Sequence, residues 1–600
     1  MWAFIEKDAY MNSEPSLSNL LACLWRHVGP LRRRQFIAVS CLTVLASFAE
    51  VLTIGAILPF LMALNSPQTV FDYPIAQPII LYFAITDSQE LLFFLTVVFA
   101  MTVILAGFFR VGMLWINIQL SMRIGADLSN GIYRRTLYQP FSVHISRNTS
   151  GVISGVMVKV NAVVSNVITP VLTLVSAAVM ITAIFGALLV VDYVVALSAL
   201  TGFGLVYGII IRLTRTKLKT NSERNASELS RVVKVLQEGL GGIRDVLIDG
   251  SQSTYCEIYR NADIRMRESQ ANTLFIGQSP RYLVEAMGTV LIAIIAYVLI
   301  QREQGLAEAL PLLGALALGA QRMLPVIQQA YASLTSINAS RAHLRDTLEL
   351  LDQPVPEFSK LSCRTPILFE EAIYLRQLGF RYSNQSPWVL RALDLRIPQG
   401  ARLGFIGETG SGKSTLLDIV MGLLQPVEGR IEVDGVLISH FNQRSWQTLI
   451  AHVPQSIFLS DSSVAENIAF GLPFDQIDMT QVNHAAEKAK IADVIKGWPE
   501  GYATVVGERG IKLSGGQRQR IGIARALYKH AKVIIFDEAT SALDGQTEES
   551  VMSAIEELGR DLTILIVAHR LSTLQICDEI VELGELGILR KGTYADIIGS

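Results

Sequence analysis

Three short stretches in the second half of the chain carry residues suited to phosphate chemistry. The run Gly407, Glu408, Thr409, Gly410, Ser411, Gly412, Lys413, Ser414, Thr415 fits the pattern G-x-x-x-x-G-K-[ST] and follows a strand-like apolar run. Its glycines let backbone N–H groups wrap phosphate oxygens, Lys413 can reach the β and γ oxygens of a nucleotide, and the Ser414 hydroxyl can hold Mg²⁺. Far downstream, VIIFDE (533–538) supplies apolar strand residues and then two carboxylates. Asp537 is suited to orient Mg²⁺ through water, and Glu538 to polarise the water that attacks a phosphate. Between them lies LSGGQ, in which Ser514, Gly515, Gly516 and Gln517 open a helix whose N-terminal amides offer a second anion site. The predicted chemistry is hydrolysis of ATP with Mg²⁺ as cofactor.

These motifs require an α/β frame, and composition makes that frame only part of the molecule. Of 600 residues, 50% are hydrophobic and 17% charged, against about 25% charged in soluble chains. A net charge of −2 gives no global pull towards nucleic acid, and no basic, aromatic-interleaved strip is present, so no nucleic-acid partner is expected. Five cysteines lie far apart without a CxxC pair, which argues against a disulfide framework and a zinc site. The first residues lack the basic-then-apolar design of a cleaved signal, so the first hydrophobic segment is expected to stay in the mature protein.

Six apolar runs approach the roughly 20 residues that a spanning helix needs: 36–64, 90–116, 167–191, 194–213, 282–300 and 306–327. Arg26, Arg32, Arg33 and Arg34 precede the first, Arg134 and Arg135 follow the second, and Arg212, Arg215, Lys217 and Lys219 follow the fourth. The positive-inside rule puts all three regions, and the second half of the chain, in the cytoplasm. The polar stretches 117–166 and 214–281 are rich in helix formers, which predicts helices continuing beyond the bilayer; two separate soluble helical hairpins are the alternative. The expected organisation is an all-α six-helix transmembrane domain over 1–350, a linker over 351–365 opened by acidic residues and prolines, and an α/β P-loop nucleotide-binding domain with an α-helical subdomain over 366–600.

LSGGQ placed between the two phosphate-binding motifs resembles the ATP-binding cassette family, specifically exporters whose membrane half is fused before the cassette. The resemblance covers roughly residues 20–600. It implies that Tyr382 in FRYSNQ stacks on adenine, and that Gln455 in VPQSIFL contacts Mg²⁺ and water and reports nucleotide state to the membrane half. It implies further that Asp544 in SALD contacts the other cassette, that His569 in IVAHRLST contacts the γ-phosphate, and that GERG (507–510) touches the partner subunit. In this family LSGGQ of one cassette closes over the phosphate loop of another, so one cassette per chain implies a homodimer with two composite sites. Coupling segments are expected at 140–160 and 238–250.

Cassette motifs do not encode cargo. Arg110, Arg281 and Arg322 lie within or against spans two, five and six, where a guanidinium costs roughly 2.5–3.5 kcal/mol even on an insertion scale. Glu50 and Glu285 are the carboxylates available to them, and Arg281 and Glu285 have i,i+4 spacing. Three arginines against two carboxylates leave an excess positive charge that an anionic lipid head would satisfy through bidentate contacts. Ion pairing and snorkelling alone are the other explanation. SFAEVLTIGAILPFL, SPRYLVEAMG and ALGAQRMLP resemble segments of bacterial lipid-linked oligosaccharide flippases, as does the long outer loop 69–87. The expected function is ATP-driven flipping of an amphipathic lipid, such as a lipid-linked pyrophosphate oligosaccharide, from the cytoplasmic to the outer leaflet of a bacterial inner membrane. Export of another lipid, a peptide or a drug, and a non-transporting membrane-anchored regulatory ATPase, are the alternatives.

Overall fold

The computed structural model describes residues 16–65, 70–71, 77–83, 85–147, 149–191, 193–300, 305–355, 367–539, 545–568 and 570–598. The chain forms two compact units. One comprises residues 1–138 and 147–354, the other 139–146 and 355–600.

The first unit is built from long helices. Pro30–Asn65, Ser88–Leu137, Tyr193–Gly241, Pro280–Ile300 and Gly305–Ala339 each contain one of the apolar runs, and Thr169–Val191 holds all but the first two residues of another. By length and apolar composition, three stretches of the described residues suffice to cross a bilayer: Pro30–Leu64, Ser88–Leu137 and Gly151–Ala187. Spans within the other three helices remain a proposal. The second helix has 50 residues, so it is about 75 Å long and far outruns a hydrocarbon core of about 30 Å. Its apolar half points large side chains outward, among them Phe93, Met101, Ile104, Phe108, Val111 and Trp115. Water would penalise that surface, whereas lipid solvates it.

Beyond the apolar stretch the same helix turns inward. Leu120, Ile124, Leu128 and Ile132, at helical spacing, pack with Leu20 and Leu24 of the amphipathic helix Leu17–His27, with Val160, Val163 and Val167, and with Leu344, Leu348 and Leu351 of Arg341–Leu351. Two π-helical turns, Gly155–Lys159 and Val164–Ile168, interrupt the entry into the third long helix. A Cβ on Gly155 would lie against Leu350 Cδ1, so a larger residue at that turn would make the end of the Leu350 side chain shift. Lys159 pairs with Asp346 at 2.6 Å beside His343, whose imidazole burial pushes down towards the neutral form. The polar connections are helical too: Gln252–Gln278 packs antiparallel to the end of Tyr193–Gly241, with Arg224 3.6 Å from Glu268 and Arg265 3.8 Å from Glu228 across the pair. A helix stands at Gln77–Tyr82 in the outer loop, much of which lies outside the described residues.

The second unit holds two sheets. β1 (Ala372–Phe380), β2 (Leu390–Pro398), β4 (Glu428–Val433) and β5 (Val436–Leu437) form an antiparallel sheet in the order β2-β1-β4-β5. β3 (Arg402–Gly407), β6 (Ile450–Val453), β7 (Val533–Asp537), β8 (Thr563–Val567), β9 (Glu579–Leu583) and β10 (Ile588–Gly592) form the second, ordered β10-β9-β3-β8-β7-β6. All its pairings are parallel except β9 with β10. Val533–Phe536 and Thr563–Val567 are buried without alternation, as central parallel strands covered on both faces must be. Helices Val464–Ile468, Met479–Lys488 and Ala492–Lys496 form a subdomain packed on Gly515–Tyr528.

The segment 140–160 divides between the units. Helix Phe141–Ser146 belongs with the cassette, where Phe141 packs against the core of the antiparallel sheet, while the rest belongs with the membrane unit.

Candidate functional site

The order β3-β8-β7-β6 sets the C-terminal ends of four parallel strands side by side, the edge at which α/β sheets bind ligands. The phosphate loop leaves β3 at Gly407 and ends in helix Lys413–Val420. Gly407, Gly410 and Gly412 have φ of 146°, 90° and 90°. A Cβ on Gly407 would strike the Leu583 carbonyl oxygen, and one on Gly412 would lie 2.9 Å from Leu390 Cδ2. Gly407 is therefore imposed by backbone sign and by space, and Gly412 by backbone sign.

Within the loop the Lys413 ammonium donates to the carbonyls of Gly407 and Glu408, both at 2.8 Å. Burial lowers its proton affinity, which the carboxylates of Glu538 and Asp537 partly restore. The Ser411 hydroxyl is buried there with no hydrogen-bond partner. A curled loop of N–H groups, a buried ammonium and an orphaned hydroxyl fit a nucleotide's phosphates, and Ser414 opens the helix beside Lys413. Glu408, Thr409 and Thr415 complete the loop; the Thr415 hydroxyl lies 3.0 Å from that of Tyr382. The Tyr382 ring is exposed, held edge-on by Phe380 at 5.1 Å, and free to stack on a base. Tyr382→Ala should raise the Kd for ATP by about 5- to 100-fold, the range of lost base stacking, while Tyr382→Phe keeps most of the affinity; nucleotide titration by tryptophan quenching measures both.

β7 ends in Asp537 with Glu538 directly after it, and the neighbouring strand, β6, leads to Gln455, whose Nε2 donates to Glu538 Oε2 at 2.8 Å. Glu538 has φ +53°, rare for a residue with a side chain, and its N–H donates to Val567 O at 3.0 Å. Backbone strain of this kind gathers where a side chain must be aimed. Asp418, on the helix after the loop, was not singled out from sequence. Partial burial pushes its carboxyl up to about 6, with Asp537 adding to the rise, and a lone carboxylate within the apolar run LLDIV was the available signal in the sequence. Asp537, Ser414 and Gln455 supply the oxygen donors a hard Mg²⁺ ion takes. His569 and Asp544 lie outside the described residues, as do the other residues of 540–544.

The LSGGQ segment opens a helix of its own. Ser514 caps helix Gly515–Tyr528 in a reciprocal box with Gln517, whose N–H reaches Ser514 Oγ at 3.3 Å while Ser514 N–H reaches Gln517 Oε1 at 2.9 Å. Ser514 is exposed and Gly516 buried, so the helix presents its start outward. Gln519 donates to the Ala539 carbonyl, tying that helix to the end of β7.

In the membrane unit the three arginines do not share one partner. Arg110 Nη2 donates to Glu50 Oε1, and Arg322 Nη1 lies 3.5 Å from Glu50 Oε2. Arg281 pairs instead with Glu285 at 2.8 Å along its own helix, and Gln328 also reaches Glu285. Glu50 was available from sequence only as a possible partner; its burial under two guanidiniums is a product of the fold.

Comparisons with known proteins agree with this architecture. The model described as "ABC transporter" matches residues 390–541, and that described as "ABC transporter transmembrane region" matches 36–312. The "ATP-dependent lipid A-core flippase" of Chromohalobacter salexigens is 31% identical over 399 residues, 65% of this chain and 67% of that protein. The protein of the same name from Cupriavidus pinatubonensis is 29% identical over 490 residues, 80% and 81%. Among solved structures, a bacterial Atm1-family ABC exporter with ATP bound superposes with a TM-score of 0.74 at 22% identity, covering 94% of this chain and 96% of the other. The chain belongs to the ABC transporter family, as an exporter half-transporter whose helical membrane region is fused ahead of an ATP-hydrolysing cassette.

Proposed function

We propose that the protein is a homodimeric flippase of the bacterial inner membrane, driven by ATP and Mg²⁺, that moves an amphipathic lipid with a phosphate-bearing head from the cytoplasmic to the outer leaflet. The observation that carries the cargo is the Glu50 cluster: two guanidiniums from helices two and six face one carboxylate, which leaves one positive charge at membrane depth. Charged groups so placed rarely face lipid and mark substrate paths. Relatives named lipid A-core flippases support a phosphorylated glycolipid, the class to which a lipid-linked pyrophosphate oligosaccharide also belongs. Arg281, paired on its own helix, is the weaker candidate for head-group contact.

In each composite site Lys413 and the loop amides hold the phosphates, Tyr382 the base, and Ser514 with Gly515 and Gly516 of the other subunit close over them. Asp537, Ser414 and Gln455 hold Mg²⁺, Glu538 polarises the attacking water, His569 contacts the γ-phosphate and Asp544 the other cassette. Leu240, Ile243, Leu247 and Ile248 are exposed together in the segment 238–250, apolar surface suited to docking as a coupling element. Reconstituted vesicles test the cargo. With Arg110→Ala or Arg322→Ala, translocation of phosphate-headed glycolipids should fall about tenfold or more, and by a larger factor than ATP turnover. Equal translocation by wild type and both variants would favour the peptide or drug exporter, in which the ion pairs are structural.

A further inference from the structure

One face of the first membrane helix carries small and polar residues at helical spacing. Thr43, Ala46, Ser47, Glu50, Thr53 and Ile57 are all buried. The hydroxyls of Thr43 and Thr53 donate to carbonyls one turn back in their own helix, Val39 and Ala49, each at 2.9 Å. They are satisfied locally. Glu50 is different: among the described residues its charge is met from other helices, and it is met unevenly. Oε1 accepts a hydrogen bond from Arg110, whereas Oε2 faces Arg322 at 3.5 Å and accepts no hydrogen bond. One carboxylate balances one guanidinium, so the residual positive charge falls on the looser contact, Arg322.

We propose that Glu50 is an internal counter-anion that occupies the head-group site in the resting transporter and is displaced by the phosphate of an incoming lipid. The proposal rests on the flippase reading above and assigns Glu50 the role of a positioning and selectivity residue. A phosphate offers several charged oxygens in the geometry that a guanidinium reads bidentately, so it can satisfy both arginines where Glu50 hydrogen-bonds only one. Displacement strips a buried carboxylate of its partners, which is unfavourable in an apolar setting. Only a head group that binds both arginines more strongly than Glu50 does offsets that loss. A neutral head has no charge to exchange, so the guanidiniums gain nothing from it whether or not Glu50 carries a charge.

The test compares phosphatidic acid with diacylglycerol of the same chains, titrated into phosphatidylcholine proteoliposomes while ATP hydrolysis is followed. Glu50→Gln keeps the shape and removes the competing charge. The expected result is a half-stimulating fraction of phosphatidic acid about threefold or more below that of wild type, with the diacylglycerol response unmoved. Glu50→Asp draws the carboxylate back by one methylene, loosens Arg322 and shifts the same way by less; it serves the comparison if the glutamine variant does not assemble. A need for more phosphatidic acid in these variants, or an equal shift for both lipids, overturns the proposal. Wild type that responds alike to the two lipids overturns the anionic-head reading itself, so the two failures are told apart.

Discussion

Glu538→Gln should lower the kcat for ATP by about 10²- to 10⁴-fold, the span that general-base assistance supplies, with little change in nucleotide affinity. Glu538 sits one residue past β7, held by its own N–H to Val567 O and by the Gln455 amide on its carboxylate. The substitution is isosteric. An amide oxygen still accepts from Gln455 Nε2, and the φ of +53° is as tolerable for glutamine as for glutamate, so the melting temperature should stay near that of wild type. What is lost is the negative charge that draws a proton from water. In the proposed homodimer ATP should then bind and draw the cassettes together without being consumed, shifting the population towards the closed dimer. Phosphate release at saturating ATP measures the loss, and retention of labelled ATP after gel filtration measures the trap. A fall of only a few fold would move the role of base away from Glu538.

The parts of this protein that were legible in its sequence are those fixed by local stereochemistry. Gly407 and Gly412 announce a loop because the turn demands φ values that other residues resist, and Ser514 with Gln517 announces a helix start because the capping box spans four consecutive residues. Arg281 and Glu285 could be paired on paper for the same reason, since i,i+4 is a distance within one helix. Partners separated along the chain were not legible. Nothing near Gln455 says that it donates to Glu538, which follows only from β6 lying beside β7. Nor does spacing say that Arg110 and Arg322 share Glu50 while Arg281 goes elsewhere; charge counting gave an excess of arginine without its location. The π turns at Gly155–Lys159 and Val164–Ile168 have no sequence pattern of their own, and the apolar periodicity around them reads as plain helix. The membership of Phe141–Ser146 in the cassette unit depends on which core accepts Phe141, a tertiary choice.

Mixing two inactive variants should restore activity if each ATP site is built from two chains. Lys413→Ala removes the ammonium that is buried against the loop carbonyls of Gly407 and Glu408, and Ser514→Arg puts a long cation at the exposed start of the signature helix, where the capping hydroxyl now stands. Each homodimer carries the same defect in both sites, and each should lose about a hundredfold or more of its turnover. A heterodimer of the two is not symmetric. One of its sites combines both defects, while the other combines an intact phosphate loop from the Ser514→Arg chain with an intact signature from the Lys413→Ala chain. Random association of equal amounts makes half the dimers heterodimers with one sound site each, so a co-expressed mixture should recover about a quarter of wild-type turnover if sites act independently, and less if they are coupled. Purification through two different tags, one per variant, isolates the heterodimer and should raise that fraction to about a half by the same counting. The start of helix Gly515–Tyr528 is capped by an exposed serine, and in the proposed composite site a second chain brings that serine to a phosphate loop. Turnover of the purified heterodimer no greater than the mean of the two homodimers would rule out independent composite sites.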